Sequence, residues 1–317
     1  MLTKNHTITI VSRKSRLALQ QANIVKQQLQ DLYQDININI IGVSTSGDET
    51  LDQPLHKIGG KGLFVTELEN YLLEDKADIA VHSLKDMPAA LAAGLALGAI
   101  LERADPRDVF VSDQYTDLQE LPAGSVVGTS SLRRQAQLLA LRQDLEVMPL
   151  RGNVETRLQK LVSGEYAAII LAAAGLERLG LHKWLNSPLE ISDMLPAAGQ
   201  GALGIEYKSA REDIKSLLEP LNHRETAACV TAERAMNATL DGGCQAPIAG
   251  FATIANEIIT LRGLVADPNG KTFFGAIETG AARDATQIGE KLAQRLLEQG
   301  ADEIIQRLKK LWKTDGW

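Results

Sequence analysis

Apolar and polar positions alternate in short runs along the first two thirds of the chain, and the runs are separated by stretches with helical spacing. Thr7–Val11 alternates as a strand does and passes through Ser12-Arg13-Lys14-Ser15 into the helical run Leu17–Leu32. Strand patterns recur at Asn37–Val43, Ala77–His82, Ser125–Gly128, Glu146–Leu150 and Ala167–Leu171. Strands that alternate with helices predict α/β sheets covered by helices. From Asn222 the pattern changes to a helix, Glu225–Leu240, a loop around Cys244, and strands at Ile248–Ile254, Glu257–Val265 and Thr272–Glu278. The turn Asp267-Pro268-Asn269-Gly270 joins the last two strands, and one long helix, Ala285–Trp312, follows. This tail predicts a smaller α+β domain.

Two segments are candidate crossings between α/β halves: Glu102–Asp108, charged and containing Pro106, and Ser192–Gly204, where Pro196-Ala197-Ala198-Gly199-Gln200-Gly201 has the composition of a flexible hinge. Two crossings make the first α/β domain discontinuous, with a cleft between the halves. The expected division is 1–101 with 198–219, then 102–197, then 220–317. Gly199-Gln200-Gly201-Ala202-Leu203-Gly204 matches the dinucleotide pattern by letter, but Pro196 precedes it and a strand-like Ile205-Glu206-Tyr207 follows, so nucleotide binding is discounted. Gly59-Gly60-Lys61-Gly62 lacks the spacing of a phosphate-binding P-loop.

At 317 residues and 44% hydrophobic, the chain is long enough for two or three domains with their own cores. A net charge of −7 argues against general nucleic-acid binding. The N-terminus lacks the basic and apolar regions of a secretory signal, and no apolar run is long enough to cross a bilayer. Cys229 and Cys244 are too few for a disulfide framework or a zinc site, so a cytoplasmic protein without metal or membrane attachment is expected.

Candidate chemistry lies at three kinds of position. Cys244, in Gly242-Gly243-Cys244-Gln245-Ala246-Pro247, is flanked by glycines that leave the thiol open to approach; it reads either as a covalent attachment point or as a small apolar residue ending a helix. Arginines recur where strands open into helices: Arg13 with Ser15, Arg133 and Arg134 after Thr129-Ser130-Ser131, and Arg151 and Arg157 around Gly152-Asn153. Cations there oppose the helix dipole, which favours a polyanion cleft over solvated arginines paired with nearby carboxylates. Arg178 follows another strand and can join them. The third position is Ala80-Val81-His82-Ser83-Leu84-Lys85-Asp86, an apolar strand that ends in ionisable groups at the usual cleft position of an open sheet. Asp86 is suited to proton transfer or to stabilising a cation and Lys85 to holding a carboxylate; a surface ion pair is the plainer reading. The histidines show no ligand spacing, and His82 reads as a strand-end packing residue.

Val81-His82-Ser83-Leu84-Lys85-Asp86, Gly128-Thr129-Ser130-Ser131-Leu132-Arg133-Arg134, Arg151-Gly152-Asn153 with Arg157, and the Cys244 loop together resemble the porphobilinogen deaminase (hydroxymethylbilane synthase) family from Ile8 through the C-terminal domain. Departures are small: Arg16 stands where bacterial members often carry proline, and Gln20 where tryptophan is familiar.

The resemblance implies two α/β domains built like periplasmic binding proteins, a hinged cleft and a third domain carrying the cysteine. It implies a dipyrromethane cofactor joined to Cys244 by a thioether, onto which four porphobilinogen units are polymerised with loss of ammonia before hydrolysis releases hydroxymethylbilane. Asp86 is then the catalytic carboxylate, facing positive charge on the pyrroles. Arg13, Ser15, Lys61, Ser83, Lys85, Thr129, Ser131, Arg133, Arg134, Arg151, Gly152, Asn153, Arg157, Arg178 and Gln200 are the expected contacts to cofactor and substrate. Ser46–Gly62 resembles a lid, with Lys57 and Lys61 reaching substrate carboxylates. A monomer that hands its product transiently to uroporphyrinogen-III synthase completes the expectation. The competing reading is a small-anion sensor or transport-binding protein, against which stand the absent export signal and the Cys244 domain.

Overall fold

The computed structural model describes residues 7–49, 62, 64–241 and 246–314. Its first sheet contains β1 (Thr7–Arg13), β2 (Asn37–Val43), β3 (Ile79–Ser83) and β4 (Leu95–Ile100). Among the elements between β1 and β3 are the helices Arg16–Leu32, Ser46–Glu49 and Thr66–Leu73. The second sheet contains β5 (Asp108–Val111), β6 (Val126–Gly128), β7 (Glu146–Met148) and β8 (Ala168–Ala172), in the order β5-β8-β6-β7. The chain then returns, and β9 (Leu203–Lys208) inserts into the first sheet, whose order is β2-β1-β3-β9-β4.

The pairings β2–β1–β3 and β7–β6–β8 are parallel, while β9 and β5 run antiparallel to their neighbours. The parallel strands therefore end on one edge of each sheet, and the strand-to-helix turns gather there. Helix Arg16–Leu32 packs Ala22, Val25 and Leu29 against Ile8, Ile10, Ile79 and Val81, the three-to-four-residue spacing that made it legible in sequence. The second sheet is packed on one side around Val109, Ile169 and Leu171 and on the other around Phe110, Val127 and Ile170, as alternation along a doubly covered strand requires.

The tail is a separate α+β unit: an antiparallel sheet β10 (Ile248–Ala255), β11 (Ile258–Ala266), β12 (Phe273–Ala281) whose inner face packs on helices Arg224–Thr239 and Ala285–Glu298. The expected single helix Ala285–Trp312 is two helices, Ala285–Glu298 and Ala301–Thr314. Gly300 breaks it: at φ +104° it takes a backbone conformation in which a side chain is strained, and the second helix folds back to bury Ile304, Ile305 and Leu308 in the same core. Strands β4 and β5 were not read from sequence, and Ala77–His82 is shifted two residues at its start.

The crossing with the composition of a flexible hinge is held by side-chain hydrogen bonds. The Gly199 amide donates to Glu233 Oε2 at 2.7 Å, Gln200 Nε2 donates to the Pro106 carbonyl at 2.7 Å, and Arg178 Nη2 donates to the Gly201 carbonyl at 2.6 Å. Gly201 has φ +86°, and a Cβ on it would stand 2.5 Å from the Ala104 carbonyl oxygen, so the two crossings touch backbone to backbone. Glu233 lies fully buried on Arg224–Thr239; it accepts both ends of the Arg103 guanidinium at 2.9 and 2.8 Å and the Ala252 amide at 2.8 Å. One carboxylate thus joins both crossings to the C-terminal unit.

Candidate active site

The three strand-to-helix turns share one construction. Ser15, Ser131 and Asn153 are the N-caps of Arg16–Leu32, Leu132–Leu141 and Val154–Val162, accepting from the amides of Ala18, Arg134 and Thr156 at 3.3, 3.4 and 2.8 Å. A capping hydroxyl keeps its own proton for a ligand. Thr129 Oγ1 accepts from the Ser131 amide at 3.2 Å.

Asp86 ends the short turn Leu84–Asp86 that follows β3. Leu84 and Met87 on either side are buried with Ile100, Ala202 and Val230, the last from the C-terminal unit, so apolar packing holds the turn. No hydrogen bond among the described residues engages the half-buried Asp86 carboxylate. Its neighbour Ser83 exchanges a hydrogen bond with the buried Gln21, whose Nε2 lies 2.9 Å from Ser83 Oγ. Lys85 Nζ donates to Gln200 Oε1 at 3.4 Å.

The arginines are more engaged than the sequence suggested. Arg133 and Arg134 are buried and both meet Asp108, which is fully buried at the start of β5. Arg134 donates to Asp108 Oδ1 from Nε and Nη2 at 3.0 and 2.7 Å and to the Ile170 carbonyl at 2.9 Å. Arg133 Nη2 stands 2.8 Å from Asp108 Oδ2, and its Nη1 donates to the Leu195 carbonyl at 2.7 Å. Gln200 Nε2 adds a bond to Asp108 Oδ1 at 3.0 Å. Arg13 is held by Asp48, which also accepts from Thr45 Oγ1 at 2.8 Å, and its guanidinium lies 4.3 Å from the Phe64 ring centre. Arg157 Nε donates to the Gly152 carbonyl at 2.8 Å.

Electrostatics show that these groups crowd one another. Burial pulls the Lys85 ammonium down to about 8, Arg134 adds to this, and Asp86 and Asp108 pull the other way. Burial lowers Arg157 to about 10, with Arg134, Arg151 and Arg13 adding their repulsion and Asp86 opposing it. Arg178 falls to about 10 through burial, and Arg151 is lowered by the same cause. For Asp108, burial pushes the carboxyl up, but Arg133 and Arg134 push it further down, well below the ordinary carboxylate range. Desolvated cations that depress each other form a field that an anionic ligand relieves.

Sequence reasoning brought together Arg13, Lys85, Asp86, Arg133, Arg134, Arg151 and Arg157, which the electrostatic couplings link. Arg178 reaches the group through the Gly201 turn. Lys61, Cys244 and residues 50–61 of the expected Ser46–Gly62 lid lie outside the described residues. Asp108 and Asp48 were missed as site residues: each is a single acid with no motif around it, and only the pairing of β5 with β8 brings Asp108 to Arg133 and Arg134, and the turn around Thr45 brings Asp48 to Arg13. A cavity of about 510 Å³ lies elsewhere, between Leu132–Leu141 and the outer face of β11 and β12; no member of the charged cluster lines it, so the chemistry marks the cluster as the site.

Comparison with known proteins decides the family. The family model "Porphobilinogen deaminase, dipyromethane cofactor binding domain" matches residues 8–216, and "Porphobilinogen deaminase, C-terminal domain" matches 227–298. The chain belongs to the porphobilinogen deaminase family. Proteins named porphobilinogen deaminase from Chromobacterium violaceum and Neisseria meningitidis serogroup B are 55% and 54% identical to it, each match covering 94% of this chain and 96% of the relative. The relative from Laribacter hongkongensis is 52% identical over 95% of this chain and 98% of its own.

Solved structures of the periplasmic aliphatic sulphonate binding protein from Escherichia coli and of a pheromone cOB1 precursor lipoprotein from Enterococcus faecalis are 14% identical to the chain, with TM-scores of 0.41 and 0.44. They cover 74% and 70% of this chain and 70% and 94% of their own. As a porphobilinogen deaminase, the chain is a transferase of tetrapyrrole biosynthesis that polymerises porphobilinogen and uses a dipyrromethane cofactor. The sensor or transport reading is thereby set aside.

Proposed function

We infer that the cationic cluster at the strand ends holds the carboxylates of the dipyrromethane and of the growing pyrrole chain, that Cys244 bears the cofactor, and that Asp86 does the chemistry. The observation that carries this reading is that burial and Arg134 lower both Lys85 and Arg157 while Asp86 opposes the shift in each, so that desolvated cations gather around one carboxylate. The donor set fits the cofactor, whose acetate and propionate groups match guanidinium forks and an ammonium.

When bound, the dipyrromethane supplies an electron-rich pyrrole as nucleophile. The chain's residues do the rest. Arg133 and Arg134, oriented by Asp108, present fixed donors; Lys85 and Gln200 extend them; Arg13, Arg151 and Arg157, with the Ser15, Thr129, Ser131 and Asn153 turns, receive the carboxylates of incoming units. Asp86 stabilises positive charge as it develops on the substrate pyrrole nitrogen and carries protons to and from it. Lys61, outside the described residues, adds a further cation for the substrate carboxylates.

The reading divides the chain as 1–101 with 198–219, 102–197 and 220–317, which the return of β9 to the first sheet supports. It includes a cytoplasmic monomer that passes its product to uroporphyrinogen-III synthase. The test is intact-protein mass spectrometry before and after porphobilinogen: a mass above the bare polypeptide by two linked pyrroles, absent from Cys244→Ser, is expected. Active protein with the bare-chain mass overturns the attachment.

A further inference from the structure

Beneath the helix Thr66–Leu73, on the face of the first sheet turned away from Arg16–Leu32, two titratable side chains are sealed against each other. The β3–β9 register sets Ala80 opposite Glu206 and His82 opposite Gly204, so Glu206 and His82 share that face. His82 Nε2 lies 3.1 Å from Glu206 Oε2, with side-chain exposures of 4% and 0%. The other Glu206 oxygen, Oε1, is buried and has no hydrogen-bond partner among the described residues.

Around the pair the face is apolar, with Val11, Leu68, Leu72 and Ala80. The strand on the far side contributes Leu97 opposite Glu206. Glu69, on the covering helix, is the other acid facing it: burial pushes its carboxyl up, Glu206 pushes it further, and His82 pulls it down. Taking two charges out of water is costly, and filling such a place with apolar side chains is often neutral or stabilising. Stability therefore does not account for an ion pair with an orphaned oxygen in an otherwise apolar layer.

Its location does. His82 immediately precedes Ser83, and it lines a small cavity of about 30 Å³ together with Ser83, Asp86, Met87 and Arg13. We propose that His82 and Glu206 form a buried ion pair that positions the Ser83–Asp86 turn and sets the electrostatic potential at Asp86, a role that rests on the reading of Asp86 given above. Inside protein, each charge acts on a neighbouring carboxylate more strongly than an exposed one does. A negative charge at the Glu206 position acts against a carboxylate at Asp86, and a positive charge at the His82 position acts for it. Arg13, which also lines the cavity, is paired with Asp48.

The two members should then shift Asp86 in opposite directions, which mere packing does not do. Single-turnover ammonia release, measured against pH on full-length, cofactor-loaded protein, compares wild type with Glu206→Gln, His82→Gln and Asp86→Asn, each checked by circular dichroism. The acidic limb is expected to move down in Glu206→Gln and up in His82→Gln, by roughly half a unit or more in each case. Limbs that stay fixed while rate or melting temperature falls, or that move the same way, overturn the proposal. If Glu206→Gln does not fold, His82→Gln alone decides, since its limb must rise; loss of folding in both assigns the pair to stability and equally overturns it. Wild-type release by Asp86→Asn is a different failure, that of the Asp86 reading itself.

Discussion

Asp108 accepts two hydrogen bonds from Arg134, at 3.0 and 2.7 Å, inside the wall of the cleft. The same carboxylate lies 2.8 Å from Arg133, so the anion that the opening of Leu132–Leu141 required is partly internal. Two guanidinium groups are thereby fixed in place before any ligand arrives, which lowers the entropy lost on binding.

Asp108→Asn should accordingly weaken both folding and cofactor assembly. Removing one member of a buried charge cluster costs about 3–5 kcal/mol, to be read from urea unfolding. Because the Asp108 carboxyl is depressed in the folded state, its contribution is complete above the ordinary range near about pH 4 and drains away as pH falls below it. Wild type should therefore lose more stability on acidification through that window than Asp108→Asn; parallel pH curves contradict this.

Lys85 gives a prediction of the same slope at higher pH, this time because burial disfavours its charged form. A lysine lowered from 10.5 to about 8 is uncharged over a range where an ordinary lysine is not, so cofactor-free Cys244→Ser protein should gain stability as pH rises between those values. Reductive methylation with peptide mapping should show Lys85 reacting with a midpoint near 8. Cofactor-loaded protein should protect it. An ordinary lysine profile in both forms removes Lys85 from the site.

Glu233 predicts a mechanical effect away from the chemistry. With Arg103, the Gly199 amide and the Ala252 amide all on one buried carboxylate, Glu233→Gln should cost about 3 kcal/mol or more and leave Arg103 buried with a weaker partner. Chemical denaturation measures it; a loss below about 0.5 kcal/mol, the scale of a surface change, contradicts the bracing role.

Arg16, where family members often carry proline, stands 3.3 Å from Glu155 and so links Arg16–Leu32 to Val154–Val162. The Arg16 side chain is largely solvated and Glu155 partly so, and such surface pairs contribute about 0–1 kcal/mol. Arg16→Pro, at a helix position that tolerates proline, should leave thermal stability within a few degrees of wild type, as scanning calorimetry would report. A large loss would assign the pair a role its exposure does not support.

Much of the site was legible because its arginines, caps and strand ends repeat one local construction: a strand, a Ser or Asn, then a helix. Asp86 was legible as the ionisable end of an apolar strand. What stayed hidden depended on contacts distant in sequence. Asp108 acquires its role only when β5 lies beside β8, Glu233 only when the C-terminal helix meets both crossings, and Glu206 only when β9 returns to pair with β3. The contacts that hold the expected hinge stayed hidden for the same reason, since its glycines reflect close backbone approach as well as freedom. Local periodicity likewise carried the last helix past Gly300, where the fold turns it back.

The central claim is that Asp86 supplies the charge on which condensation depends. It is tested by single-turnover ammonia release from folded Asp86→Asn protein carrying a preassembled cofactor, since asparagine keeps the shape and an oxygen but not the charge. The account predicts a fall of roughly 10²-fold or more, the scale of a positioned acid–base or electrostatic group. Near-wild-type release would contradict it and move the chemistry elsewhere in the cleft.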